Sequence, residues 1–137
     1  MSGTDATPAA GQGVVVTITI SNSSSAALTI ADGELTGGVW LGSPPGPGAT
    51  LATGSTSFAN AGQSTFQEVG GYMLLTPAGG GSLSLSWDWS PGQGLTAYGN
   101  VLGTNALALT SGVTNGSTFE PTVTYVITNA SSAGDAR

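Results

Sequence analysis

The stretch Ser82-Leu83-Ser84-Leu85-Ser86-Trp87-Asp88-Trp89 alternates without a break between polar and apolar side chains. In an extended chain successive side chains point to opposite faces. Leu83, Leu85, Trp87 and Trp89 therefore share one face, and Ser84, Ser86 and Asp88 share the other. A helix would need its apolar residues to recur at helical spacing, which this segment does not offer. It reads as a strand buried on one side and placed centrally in its sheet.

The same period recurs upstream. In GVVVTITI, from Gly13 to Ile20, Val14, Val16, Ile18 and Ile20 fall on one face and Val15, Thr17 and Thr19 on the other. The turn-forming run Asn22-Ser-Ser-Ser-Ala follows, and Ala27 to Ile30 resumes the apolar character, so the two segments predict an opening hairpin. Asp32-Gly33 predicts a further reversal. Gly37 to Leu41 is a short strand, closed by a surface loop from Ser43 to Gly48 in which prolines fix φ and remove amide donors.

Short strands are expected at 49–52 and 55–59, then a longer one from Thr65 to Leu75. Its Gly70-Gly71 marks a bulge or a close approach of two backbones. A loop over Ser90-Pro91-Gly92-Gln93-Gly94 follows the Trp strand, and further strands are expected at 95–102, 106–110 and 118–128. No window pairs apolar helical spacing with good helix formers, and 23 glycines among 137 residues oppose long helices. The whole predicts a compact antiparallel β-sandwich of about eight to ten short strands. One such domain over residues 13–129 is expected, with a flexible segment at 1–12 and a tail at 130–137.

With 39% hydrophobic residues and a slightly positive mean hydropathy, the chain is too apolar to stay disordered. Only 6% of residues are charged, against about 25% in typical soluble proteins, so Ser, Thr, Asn, Gln and Gly must cover the surface. Arg137 is the single cation, and the formal net charge is −6. Nucleic acid is excluded as a partner, because phosphate contacts need Lys and Arg, and anionic head groups are disfavoured for the same reason. Without Cys or His there is no disulfide, thiolate site or imidazole chemistry. Met1 to Gly13 has neither a basic nor an apolar signal region, and no run is long enough to span a bilayer. The expectation is a soluble protein made in the cytoplasm, with any release by a non-classical route.

Catalysis finds little support. Asp88 with Glu68 or Glu120 forms a carboxylate pair on paper, but no flanking motif accompanies it, and Asp88 reads as a solvated carboxylate on a polar face. The abundant hydroxyls lack a His or Lys to activate them. Asp32-Gly33-Glu34 is a fragment of a calcium loop at best, and a hairpin turn explains it better. No catalytic residue, metal or cofactor is expected. The matches to the glycosylation sequon at Asn22, Asn115 and Asn129 are what a Ser/Thr-rich chain produces by chance.

The aromatic residues are more informative. Trp87, Trp89 and Tyr98 flank one Pro-Gly loop and Trp40 precedes another. Trp87 shares its face with Leu83 and Leu85 and reads as core, whereas Trp89, beside the loop, suits core or surface equally. Trp and Tyr suit both a lipid interface and stacking on sugar rings, so composition leaves lipid and glycan open.

From Val16 to Val101 the order of landmarks resembles the aegerolysin family and, more distantly, the actinoporin-like cytolysins. The elements are VTITISNSSSAALTI, GGVWLGSPP, GSTSFANAG, FQEVGGYMLL and GGGSLSLSWDWSPGQGLTAYGNV. The usual Trp-Asp-Cys-Pro-Trp run is here Trp87-Asp88-Trp89-Ser90-Pro91, without the Cys. The resemblance implies a small acidic β-sandwich that recognises membrane lipid head groups of the sphingolipid type, as in hemolysin-like toxins, sometimes with a larger pore-forming partner protein. It points to Trp87, Asp88, Trp89, Tyr98 and Trp40 as ligand-binding residues. A lectin-like glycan-binding module and a self-assembling structural protein are the alternatives, the last because strands such as GVVVTITI leave edges that pair between copies.

Overall fold

A computed structural model describes residues 13–42, 46–51, 53–64 and 67–130. The expected flexible segment 1–12, the expected tail beyond Ala130, and Ser43 to Pro45 of the proline loop lie outside the described residues. Among the described residues every regular element is a strand, and no helix is long and apolar enough to cross a membrane.

Ten strands follow in chain order. They are β1 (Val15–Asn22), β2 (Leu28–Gly37), β3 (Val39–Leu41), β4 (Thr50–Leu51) and β5 (Gly54–Ala61), then β6 (Val69–Pro77), β7 (Ser82–Ser90), β8 (Gly94–Leu102), β9 (Leu107–Thr114) and β10 (Thr122–Asn129). They form two five-stranded sheets. Sheet I has the order β3-β5-β1-β10-β9 and sheet II the order β4-β2-β6-β7-β8.

The alternation that predicted strands now sets the two inner faces. Val16, Ile18 and Ile20 of β1, with Val123, Tyr125 and Ile127 of β10, point from sheet I into the core. Leu28, Ile30, Met73, Leu75, Leu83, Leu85, Trp87 and Trp89 meet them from sheet II. Each fully buried side chain of this size is worth about 1.5–3 kcal/mol against exposure, so the period-two pattern specifies register as well as strand type. β7 lies between β6 and β8, an internal position as expected.

All ladders are antiparallel except one. β1 pairs with β10 in parallel, Thr17 opposite Thr122 through Asn22 opposite Ile127. A parallel pair needs a long connection. Here nearly the whole chain lies between the two strands.

The expected opening hairpin does not form. Both edges of β1 are taken, by β5 and β10, and β2 belongs to the opposite sheet. The buried Asn22 side chain makes the corner. Its Nδ2 donates to the carbonyl of Ala26 at 2.8 Å, and its Oδ1 accepts from the Ser24 hydroxyl at 2.6 Å and the Ser24 amide at 3.1 Å. The polar run thus carries the chain over the rim of the sandwich.

Nor does Asp32-Gly33 reverse the chain. It sits inside β2 just past a register shift between Ile30 and Asp32, and Asp32 Oδ1 accepts the Gly33 amide at 2.9 Å. The residues that make turns also make bulges, and the continuous partner strand β6 decides for a bulge.

Gly70-Gly71 is a place of close approach. A Cβ on Gly71 would stand 2.7 Å from the Glu34 carbonyl oxygen and 2.8 Å from Cζ2 of Trp87. Gly71 pairs directly with Trp87, so the missing side chain is the space the indole occupies. A second shift, between Leu35 and Gly37, falls opposite this pair.

Candidate functional site

The start of β1, the end of β7 and the 115–121 loop meet at one end of the sandwich, which we call the loop end. The Val15 amide donates to the Phe119 carbonyl at 2.9 Å, and the Leu95 amide to the Gly116 carbonyl at 2.9 Å. The first bond ties the β9–β10 loop to the start of β1, and the second ties it to the residue that follows the Pro91–Gly94 turn. Gly92 and Gly94 both take positive φ, which glycine adopts without a steric penalty.

Between the two loops lies a hollow of about 280 Å³, lined by Trp89, Pro91, Gly92, Gln93, Gly94, Ser117 and Phe119. Trp89 forms its floor. The indole is only 2% exposed, its Nε1 donates to the Thr118 carbonyl at 3.2 Å, and the Phe119 ring stands edge-on to it with centroids 5.3 Å apart. Phe119 itself is 45% exposed. A buried indole carrying an exposed phenyl ring is held in place by packing on one side and open to solvent on the other.

Trp87 is likewise 2% exposed and belongs to the core. Its Nε1 donates to Asn60 Oδ1 at 2.9 Å, and its ring meets Trp40 at a centroid distance of 6.1 Å. Trp40 is half-buried and also packs edge-on against Phe58 at 6.3 Å. The three tryptophans thus serve the interior of the loop end, with two contact groups, Trp40–Trp87 and Trp89–Phe119.

Asp88 and Tyr98 lie elsewhere. The alternation that buries Trp87 and Trp89 turns Asp88 to the outer face of sheet II, and Tyr98, 67% exposed, projects from the same face of β8. Asp88 pairs with Thr96 and Ser86 with Tyr98, so Asp88 and Tyr98 are diagonal neighbours. Partial burial and the charge of Glu68 push the Asp88 carboxyl above the usual carboxylate range. The Ser90 hydroxyl, which also lies 2.6 Å from Glu68 Oε2, offsets this in part. Glu68 is therefore Asp88's neighbour. Glu120 is not on this face, lying beside Val15, Thr17 and Thr122 of sheet I in a hollow of about 300 Å³.

Two residues the sequence did not single out, Asn60 and Phe119, carry this arrangement, and a third, Tyr72, stands out on the outer face of sheet II. Asn60 is fully buried, and its Nδ2 donates to the Gly37 carbonyl at 3.1 Å while its Oδ1 receives Trp87. Its signal was one polar residue at an inward position of the FANAG run. Phe119 falls within the strand expected at 118–128, but β10 begins only at Thr122, because Pro121 lacks an amide donor and residues 115–121 form a loop. Tyr72, 36% exposed on β6, was hidden in the apolar run GGYMLL.

No protein-family model matches the chain, and no curated protein matches it in sequence. Solved structures do. The crystal structure of the lipid-binding protein Nakanori aligns with a TM-score of 0.66 at 12% identity, over 84% of this chain and 71% of that one. The crystal structure of IP-1A from Alcaligenes faecalis aligns with a TM-score of 0.68 at 13% identity, over 88% of this chain and 94% of that one. At such identities the likeness is one of fold.

Proposed function

We propose that this chain is a non-catalytic domain that binds membrane lipid head groups through the loop end, and that it belongs with the aegerolysin and actinoporin-like proteins. The observation that carries the reading is Phe119, an exposed aromatic ring held on the buried Trp89 at the mouth of an apolar hollow. An aromatic ring on a rigid support is suited to the interface, because its apolar body gains from leaving water while little order is lost on docking. The shared fold with a protein described as lipid-binding supports the same reading.

The charge balance narrows the lipid. A chain with no Lys or His and one Arg has nothing with which to neutralise an anionic surface, so the head group is zwitterionic or neutral. Within that class the sequence resemblance points to sphingolipid, and it carries the further expectation of a larger pore-forming partner. Trp89 takes part as the support of Phe119, with Trp87 and Trp40 behind it, and the scarcity of groups able to activate a hydroxyl supports a binding role over catalysis.

The test is co-sedimentation with phosphatidylcholine vesicles, with and without sphingomyelin and sterol, for the wild-type chain and for Phe119→Ser. Burying a phenyl ring is worth about 1.5–3 kcal/mol, so the substitution lowers affinity by about ten- to a hundredfold. Circular dichroism checks that the fold is retained. Wild-type protein that ignores every vesicle, or a Phe119→Ser variant that binds as tightly as wild type, overturns the proposal.

A further inference from the structure

The outer face of sheet II has a relief set by β7. Its outward residues Ser82, Ser84 and Ser86 are small and hydroxylated, while the strands on either side present larger groups. The register aligns Tyr72, Ser86 and Tyr98 in one row across three strands, and Leu74, Ser84 and Asn100 in the next. Adjacent strands lie about 4.8 Å apart, so the two tyrosine-bearing strands stand about 10 Å apart with a floor of hydroxyls between them.

That floor is held from below. The Tyr125 hydroxyl, reaching across from sheet I, donates to the Ser86 carbonyl at the middle of the row. The groove is therefore built on an internal strand bonded to β6 and β8 on its two sides and to sheet I beneath. A preorganised surface of this kind loses little freedom when a ligand is placed on it.

Charge selects the class of ligand. Asp32 and Glu34 lie beside Tyr72, and Asp88 and Glu68 lie at the loop end of the groove. Among the described residues there is no Lys, Arg or His to balance them. The face repels phosphate, sulfate and carboxylate ligands, and it repels a second copy of itself. An acyl chain would leave the serine hydroxyls without partners, and a peptide strand adds to an edge of a sheet, not to its face. A neutral polyhydroxylated chain meets each requirement. Its hydroxyls donate to the carboxylates and exchange hydrogen bonds with Ser84, Ser86 and Asn100, and its C–H faces lie against the two phenol rings.

We propose that this groove binds a neutral linear oligosaccharide. The site is separate from the Phe119 hollow, so the two readings stand or fall independently. The test titrates the full chain with neutral hexasaccharides of β-1,4-linked glucose, mannose, xylose and N-acetylglucosamine, by calorimetry and by amide chemical-shift mapping. At least one sugar binds, shifts centre on β6 to β8, and Tyr98→Ala and Tyr72→Ala each weaken binding by about tenfold, as expected for one lost aromatic contact. The oligosaccharide leaves vesicle co-sedimentation of the wild-type chain unchanged. Silence with every sugar, shifts centred elsewhere, full affinity in Tyr98→Ala, or competition with vesicles overturns the proposal. So does a concentration-dependent dimer that Tyr98→Ala abolishes, since the occupant would then be a second copy.

Discussion

Trp87 Nε1 donates to Asn60 Oδ1 at 2.9 Å across the interior of the sandwich, joining sheet II to sheet I at the loop end. The same Asn60 gives its Nδ2 to the Gly37 carbonyl at 3.1 Å, where β2 hands over to β3. One buried amide side chain thus satisfies a buried indole N–H and a partly buried backbone carbonyl.

Replacing Asn60 by Ala leaves the indole N–H unpaired in the core and the Gly37 carbonyl unpaired at its margin. A buried polar group stripped of its partner costs about 1–3 kcal/mol, so Asn60→Ala should destabilise the fold by about 2–5 kcal/mol. Urea unfolding followed by tryptophan fluorescence measures it. A loss below half a kcal/mol would mean that the amide holds nothing in place.

How much of this was legible in sequence depended on what period-two alternation encodes. It fixes which residues face inward, and so SLSLSWDW and GVVVTITI gave strands with the buried residues found in the core. It does not say which strand lies alongside, and so β1 and β2 read as a hairpin although they belong to different sheets. Asp32-Gly33 was ambiguous for a chemical reason, since turns and bulges use the same residues. For Trp89 the sequence left core and surface open, and the answer lay about thirty residues away, in the Thr118 carbonyl and the Phe119 ring that cover it. The partners of Asn60 were equally non-local.

Asp88 gives a pH dependence of definite sign. Partial burial and repulsion from Glu68 raise its pKa in the folded protein, so the fold binds a proton more readily there than the unfolded chain does. Stability from this site is therefore present at low pH and is lost as pH rises through the folded pKa. Asp88→Asn removes the charge. The variant should melt at a higher temperature than wild type at neutral pH, and the difference should close as pH falls below about 4, where the unfolded aspartate is also protonated. A difference that persists at low pH would assign the effect to something other than ionisation.

Tyr125 acts at the other end of the scale. Burial raises its hydroxyl pKa, and the hydroxyl donates to the Ser86 carbonyl of the facing sheet. The unfolded chain ionises first, so stability from this group is full below about pH 10 and declines as pH rises above it. Tyr125→Phe should cost about 1 kcal/mol at neutral pH, the net worth of one hydrogen bond, and should flatten the alkaline decline. The slope that remains belongs in part to Tyr72, whose pKa is raised by partial desolvation and by Asp32 and Glu34. An alkaline unfolding profile identical to wild type would show that Tyr125 ionises freely in the fold.

The proposed docking surface dictates which fluorophore reports on it. Trp87 and Trp89 are buried and Trp40 is half-buried, so the native emission already comes from largely dry indoles. Docking through Phe119 leaves those rings where they are, and the wild-type spectrum should hardly move when vesicles are added, even under conditions where co-sedimentation shows binding. Phe119→Trp places an indole at the exposed position itself. Its emission should be red-shifted in buffer and should move to the blue on sphingomyelin-containing vesicles, because the ring leaves water for the head-group layer. A large blue shift in the wild-type protein would instead mean that Trp40, the one half-buried indole, loses water on docking. If Phe119→Trp co-sediments yet its emission stays red, the membrane contact lies on another surface of the sandwich.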